Sequence, residues 1–399
     1  MSNVVKKHQV LIIGAGTAGI STAAHLLKDH SDREWDIAIV DPSEKHYYQP
    51  LWTLVGAGIF PKEESEREQA DYIPFGCEWI KDAVQSFSPE ENYVTLKSGD
   101  RVEYEYLIVC AGIQIDWHKI KGLKESLGKN GVCSNYDYKT VDKTWEFIRG
   151  MSQGRAIFTQ PPMPIKCAGA PQKILYLAEH NFAKRGLRDK IDVDFFLAGP
   201  RIFGVEKYRN ALEKVLERKN LSPNYEHNLV EIKGDQKIAI FETPNNEKKE
   251  VEYDMIHVVP PMSSPDFIKK SALANSDGWV EVDKYTTQHT RFPNVFSIGD
   301  CSSLPTSRTG AAIRKQVPVL VKNLVSHVDK KDLIAKYDGY ASCPLVTGYG
   351  SCILAEFDYD GVPTETFPFD QAQERFSMYI LKAYGLPRLY WHGMLKGRA

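Results

Sequence analysis

Short unbroken apolar runs recur along a chain that is otherwise mixed in character. Val10–Ile13, DIAIVD ending at Asp41, VEYEYLIVCAG ending at Gly112, IDVDFFL from Ile191 and FPNVFSIGDC ending at Cys301 each read as strands. Continuous rather than alternating apolarity suits a parallel strand covered on both faces. Helical spacing follows three of the glycine-containing turns. One helix is predicted after Gly19, and one after the small residues at 168–170, where Pro171 fits a first turn and Leu175, Leu177 and Ala178 face a core. A third begins near Thr309 and runs through GAAIRKQVPVLVKNLV.

The first strand and helix carry chemistry. HQVLIIGAGTAGISTAAHLLK places Gly14, Gly16 and Gly19 in GxGxxG spacing between them, and Asp41 ends the next strand 22 residues beyond Gly19. Gly14 allows a tight turn, Gly16 lets the backbone approach a pyrophosphate, and Gly19 lets helix and strand pack closely. Asp41 is placed to accept from ribose hydroxyls. The unit predicts a dinucleotide site. The strand ending in Gly299 and Asp300 resembles the second FAD contact of flavoproteins with two dinucleotide domains, and the small-residue end at Gly112 fits the same site. By that resemblance FAD is the cofactor, and the helix from Thr309 points its positive end at the flavin. Lys315 on that helix has two readings: stabilising reduced flavin or a quinone oxygen, or serving as a solvated helix lysine. No second GxGxxG appears between Ala156 and Gly204, where a nicotinamide-binding domain would carry one.

Composition narrows the classes. The 399 residues are 42% hydrophobic and 26% charged, with net charge −2. A soluble globular protein of two or three domains is expected, without a nucleic-acid surface. No run is long and apolar enough for a spanning helix, and the chain as given is expected to carry no signal or transit peptide. Seven cysteines are scattered without metal-ligand spacing, so no metal site is expected. Cys167, after Lys166 and just before a helix N-terminus, reads either as a reactive thiol or as a small core residue; the helix terminus and Lys166 would favour thiolate. Cys343 lies in the loop GYASCPLVTGYG, 176 residues away, and spacing alone does not pair the two. Cys301 reads as small and buried beside FAD, Cys77, Cys110 and Cys352 as core, and Cys133 as a loop residue at or near the surface.

KCAGAPQK and SCPLVTGY, with DPSEKHYYQPLWTLVGAG, HVVPPMSSPD, VFSIGDCSSLPTS and FPFDQ, resemble the sulfide:quinone oxidoreductases, closest to the branch that includes the mitochondrial enzymes. The resemblance covers nearly the whole chain. It implies an α/β fold of two tandem Rossmann-type domains plus a C-terminal region for quinone and membrane contact. The expected boundaries are 1–115 with 286–340 for FAD, 116–285 for a second domain without a competent NAD motif, and 341–399 for the C-terminal region. It implies that Cys167 and Cys343 are the catalytic redox pair. It further implies oxidation of hydrogen sulfide to a persulfide, reduction of ubiquinone or menaquinone, and peripheral attachment to an inner membrane surface. A small thiol or sulfite-like sulfur acceptor and a homo-oligomer are compatible with it. Some members use a third cysteine; Cys133 falls near that place, and its role stays open. Tyr349, Phe357 and Tyr384 are candidates for a quinone pocket. The tail SMYILKAYGLPRLYWHGMLKGRA combines aromatics with Lys382, Arg388, Lys396 and Arg398 and no acid, a composition suited either to an interface or to a core helix with a basic tail. Three other readings share parts of this pattern: an NADH:quinone oxidoreductase of the same fold, a flavin subunit feeding a cytochrome, and a non-catalytic flavin-bound sulfide sensor.

Overall fold

The computed structural model describes residues 5–399. Strand β1 (Val5–Ile13) turns through the glycines into helix α1 (Thr17–Asp29), and the chain returns in β2 (Ile37–Val40). Strands β3 (Cys77–Ile80), β4 (Val84–Ser88), β5 (Tyr93–Leu96) and β6 (Arg101–Val109) extend the sheet in the order β3-β2-β1-β6-β5-β4. Parallel register sets Ile13 beside both Val40 and Val109. Three strands therefore end at one level, and the residues after them, Gly14, Asp41 and Cys110–Gly112, share one rim. Ligands of open parallel sheets bind beyond the carboxyl ends of the strands.

A second sheet takes the middle of the chain. It contains β7 (Val132–Cys133), β8 (Gly154–Gln160), β9 (Ile191–Leu197), β10 (Pro223–Asn224) and β11 (Met255–His257), all parallel, in the order β7-β11-β8-β9-β10. Helix α2 (Ala170–Lys184) crosses from β8 to β9, and α3 (Glu206–Arg218) from β9 to β10. A three-stranded antiparallel sheet over residues 228–252 buries Leu229, Ile232, Phe241 and Val251 against Ile157 and Phe196.

The chain then rejoins the first sheet. β12 (Val295–Ser297) pairs with β6, placing Ser297 beside Val109, so Gly299 and Asp300 reach the rim already occupied by Gly14. Helix α4 (Gly310–Val328) follows, with the Thr309 hydroxyl accepting from the Ala312 N–H at its start. The hairpin of β13 (Ala341–Gly348) and β14 (Ser351–Phe357) packs on α2. Helix α5 (Phe376–Ile380) continues through wider π-type turns at Leu381–Gly385 and Leu389–Gly393. This tail folds back on α1: Lys28 Nζ donates to the Gly397 carbonyl at 2.7 Å, and the Tyr390 and Thr17 hydroxyls are 2.9 Å apart. Among the described residues no helix is long and apolar enough to cross a membrane.

Candidate active site

A cavity of about 630 Å³ opens where the two sheets and the C-terminal tail meet. Its first arm begins at the glycine turn. Gly14 has φ +99°, and a Cβ there would lie 2.5 Å from the Cys110 carbonyl oxygen; only glycine tolerates both conditions. A Cβ at Gly19 would lie 1.9 Å from the Gly14 carbonyl, so that glycine sets the helix–strand contact. Gly16 and Gly112 have nothing within 4 Å of the Cβ position and present open backbone to the cavity. Asp41 accepts from the Ala15 N–H at 2.7 Å and the Ser43 N–H at 2.8 Å. This fixes the carboxylate while each oxygen keeps a further lone pair for a ribose hydroxyl. The arm continues past Gly299 and Asp300 to the start of α4. A glycine cradle, an anchored acid and a helix N-terminus along one trough fit a dinucleotide.

The second arm holds sulfur. The loop from β8 to α2 carries Cys167, and β13 carries Cys343. Their Sγ atoms stand 3.3 Å apart. Cys167 has the left-handed φ of +58°, a conformation that costs a non-glycine residue about 1 kcal/mol or more. Two backbone bonds hold it there: Cys167 N–H donates to the Arg308 carbonyl at 2.9 Å, and the Cys167 carbonyl accepts from Ala170 N–H at 2.8 Å. The first bond ties the sulfur loop to the segment that leads into α4.

The charges near the pair differ from the sequence expectation. Lys166 does not face the thiol; its Nζ donates to Gln49 Oε1 at 2.5 Å. The lysine beside Cys167 is Lys173, one turn into α2, with Nζ 3.2 Å from Sγ. The signal for it was present in KCAGAPQK, since a lysine six residues on returns to the N-terminal end of a helix beginning at Ala170. The Cys343 S–H and then the Lys173 ammonium hold the Cys167 thiol well below its usual range, against the opposing effect of burial. Cys343 is pushed well above its usual range by the Cys167 thiolate and by burial. In the reduced pair these opposite shifts favour the thiolate on Cys167 and the proton on Cys343. Lys382, 2% exposed, adds a third amino group to the cavity; it donates to the Pro50 carbonyl at 2.7 Å, and burial lowers it to about 7.

Other expectations move. Lys315 points to solvent over the Tyr340 ring and does not line the cavity, where its neighbour Arg314 does; one step along a helix turns a side chain by about 100°. Tyr349 donates to the Ala57 carbonyl, Phe357 packs on Phe203, and Tyr384 is 44% exposed. None of the three lines the cavity. Its apolar end is built instead from Tyr340, Pro344, Leu354 and Phe367 with Leu381, Leu386 and Leu389 of the tail. Cys133 is fully buried in β7, with Sγ against the Ile256 carbonyl, and lies outside the cavity lining; a two-residue strand was invisible in NGVCSNYD. Cys301, Cys110 and Cys352 are buried as expected, and Cys77 is half-buried. Among the described residues no group of metal-ligating side chains forms.

Two Rossmann-like sheets, a nucleotide trough and a cysteine pair beside it define the class of the disulphide oxidoreductases. The pyridine nucleotide-disulphide oxidoreductase family model matches residues 8–145 and 180–323. Within that class the chain belongs to the sulfide:quinone oxidoreductase family. It is 51% identical to the mitochondrial sulfide:quinone oxidoreductase of Dictyostelium discoideum, covering 100% of this chain and 87% of that protein. To the mitochondrial enzyme of Mus musculus it is 49% identical over 98% of this chain and 87% of that protein. The sulfide:quinone oxidoreductase structure from Aquifex aeolicus shares the fold, with TM-score 0.82 at 19% identity, covering 98% and 92% of the two chains.

Proposed function

We infer that this enzyme oxidises hydrogen sulfide at the Cys167–Cys343 pair and passes two electrons through FAD to a quinone. The observation that carries the reading is the Cys167–Cys343 pair, 3.3 Å apart and backed by Lys173, beside a trough shaped for a dinucleotide. Gly14, Gly16, Gly19, Asp41, Gly112 and Asp300 would hold FAD. Lys315 carries no role in this reading. Residues 1–115 with 286–340 serve FAD, 116–285 carry the sulfur loop, and 341–399 supply Cys343, the quinone end and the membrane contact.

The sulfur chemistry follows thiol–disulfide exchange. Hydrosulfide attacks the bridged pair, its sulfur joins one cysteine as a persulfide, and the other cysteine leaves as thiolate. A small nucleophile, a thiol or a sulfite-like anion, then takes the outer sulfur and leaves a dithiol. Closing the bridge again releases two electrons and the thiol proton. Lys173 stabilises the thiolate at both stages. FAD supplies a two-electron acceptor that hands the pair to quinone. The β8–α2 loop, where a nicotinamide domain keeps its glycine turn, holds Pro164 and Cys167 instead, which favours sulfide over NADH as donor. Steady-state quinone reduction should require sulfide and proceed with no NADH; activity with NADH alone would overturn the reading.

Lys173 yields a pH prediction. A lowered thiol pKa extends the thiolate form of Cys167 to lower pH, and reactivity falls as pH drops through that lowered value. Lys173→Met removes a cause of the lowering, so the inflection for iodoacetamide alkylation of the reduced enzyme moves up towards the ordinary thiol value. Alkylation at pH 7 should slow about tenfold. An unchanged pH profile would show that Lys173 does not set the thiolate.

The tail supports membrane contact. Phe376, Ile380 and Tyr384 recur every four residues and are 66%, 39% and 44% exposed, with Arg388 exposed one turn further, while Lys382, Tyr390 and Met394 on other faces line the cavity. An apolar stripe with a flanking cation suits a lipid interface. Phe376→Asp with Ile380→Asp should cut turnover of long-chain quinone in vesicles several-fold and leave a short-chain soluble quinone as good a substrate. Equal loss with both quinones would contradict the stripe's role.

A further inference from the structure

His46 and the irregular end of the tail have no task in the chemistry above, yet three hydrogen bonds join them to the glycine turn. His46 Nδ1 lies 3.2 Å from the Ala15 carbonyl, His46 Nε2 lies 2.5 Å from the Tyr390 hydroxyl, and that hydroxyl lies 2.9 Å from the Thr17 hydroxyl. A carbonyl only accepts, so Nδ1 carries the proton; burial lowers the ring's pKa to about 4 and keeps it neutral. Nε2 then accepts from Tyr390, and the Tyr390 oxygen accepts from Thr17. His46 and Tyr390 are both buried and line the cavity. The chain of bonds ends on Ala15 and Thr17, the two neighbours of Gly16, whose backbone is open to the cavity. Helix α1 starts at Thr17, and its first N–H groups have no partner within the helix and suit a phosphate. The tail is pinned around the same point. The Tyr390 ring centroid lies 4.6 Å from that of Tyr48, and the Trp391 centroid 4.9 Å from that of Tyr72. Beyond them Lys396 Nζ donates to the Asp71 carbonyl at 2.8 Å, and a Cβ at Gly397 would lie 2.9 Å from the Ala24 carbonyl oxygen of α1. Before them Leu386 and Leu389 line the apolar end of the cavity. One continuous segment thus runs from that end to the glycine turn, and Tyr390 ties it to the backbone on both sides of Gly16.

We propose that Tyr390, through Thr17 and His46, clasps the C-terminal tail onto the glycine turn and slows the escape of the bound dinucleotide. The proposal rests on the reading that the trough holds FAD, and it makes Tyr390 a positioning residue for the cofactor. Two effects act together. The bonds hold the peptides on either side of Gly16 before the ligand arrives, so less backbone freedom is lost on binding. They also hold the tail as a wall of the arm, and the wall parts from the turn only when both Tyr390 bonds break.

The rate at which the diluted holoenzyme releases its cofactor, followed by flavin fluorescence, tests the clasp without turnover. Tyr390→Phe keeps the ring against Tyr48 and removes both bonds, so release should quicken about tenfold. Thr17→Val cuts the chain from the turn side and should also quicken release, and it carries the test if Tyr390→Phe does not accumulate folded. The double variant should release no faster than Tyr390→Phe alone, because the shared bond is already gone. Additive effects overturn the clasp, since Thr17 and Tyr390 then act on the cofactor separately. Unfolding midpoints with and without added FAD separate the clasp from plain packing. A clasp narrows the gap between the two midpoints in Tyr390→Phe, because the ligand then stabilises the folded state less. Equal falls in both midpoints with unchanged release overturn it. So does flavin that stays with acid-precipitated protein, because a covalent link needs no clasp. Chromatography of the released cofactor tests the underlying reading: a molecule other than FAD overturns that reading, whereas FAD released at the same rate from all the proteins overturns the clasp alone.

Discussion

Cys167→Ser and Cys343→Ser should each reduce sulfide-dependent flavin reduction to background, a loss on the order of 10³-fold or more. Serine matches the size of cysteine and supplies no sulfur for exchange, so neither variant can form the bridge that hydrosulfide attacks. The two should differ in the resting enzyme. Cys343→Ser keeps Lys173 against the Cys167 sulfur (3.2 Å) and retains a reactive thiolate. Cys167→Ser leaves only Cys343, a thiol that burial holds protonated. Alkylation should therefore be fast in the first and slow in the second. The nucleotide trough lies in the other arm of the cavity, so both variants should stay yellow. Stopped-flow bleaching by sulfide, with flavin content measured alongside, checks this. Unimpaired bleaching in either variant would show that the pair is not the entry point.

Gly169→Ala should lower the same rate on the order of a hundredfold, although no reacting atom is changed. A Cβ at residue 169 would lie 2.7 Å from Cys343 Sγ and 2.3 Å from Leu345 Cδ2. Leu345 can relieve its contact by turning about χ2, which swings Cδ2 aside. Cys343 is 1% exposed, and its sulfur can yield only by turning about χ1 or by carrying β13 with it; either takes it off the 3.3 Å contact with Cys167. Displacing one reactant by about an ångström costs roughly a hundredfold. Residue 169 precedes a helix at φ −87°, an angle alanine adopts freely, so the effect is one of space rather than backbone strain. Gly169→Ala with Leu345→Ala removes the softer contact and should remain impaired. Recovery in that double variant would place the defect in Leu345 packing and leave the sulfur geometry without a part in it.

Much of the nucleotide trough was legible in the chain because its parts are local. The GxGxxG turn, Asp41 and the Gly299–Asp300 strand end each announce themselves within a few residues, and parallel register then brings their ends to one rim. The sulfur side was legible only through the resemblance carried by KCAGAPQK and SCPLVTGY, since the meeting of Cys167 and Cys343 depends on β13 packing over α2. Lys166 stands next to Cys167 in sequence but points to Gln49, because the left-handed turn at Cys167 sends neighbouring side chains apart. Lys173 comes close because a helix brings it back. Lys315 shows the opposite limit: its helix was placed correctly, and the face it occupies was settled by how α4 rests on the sheet. The aromatics proposed for a quinone pocket were chosen by type, and the apolar end of the cavity is lined instead by residues from the hairpin and the irregular tail, whose wide turns have no sequence period.

Anaerobic addition of sulfide to the oxidised holoenzyme, followed by a short-chain quinone, tests the central claim most directly. The account predicts that the flavin's visible absorbance, the reporter the cofactor itself supplies, bleaches with sulfide and returns with quinone. Flavin that ignores sulfide and bleaches with NADH would contradict it.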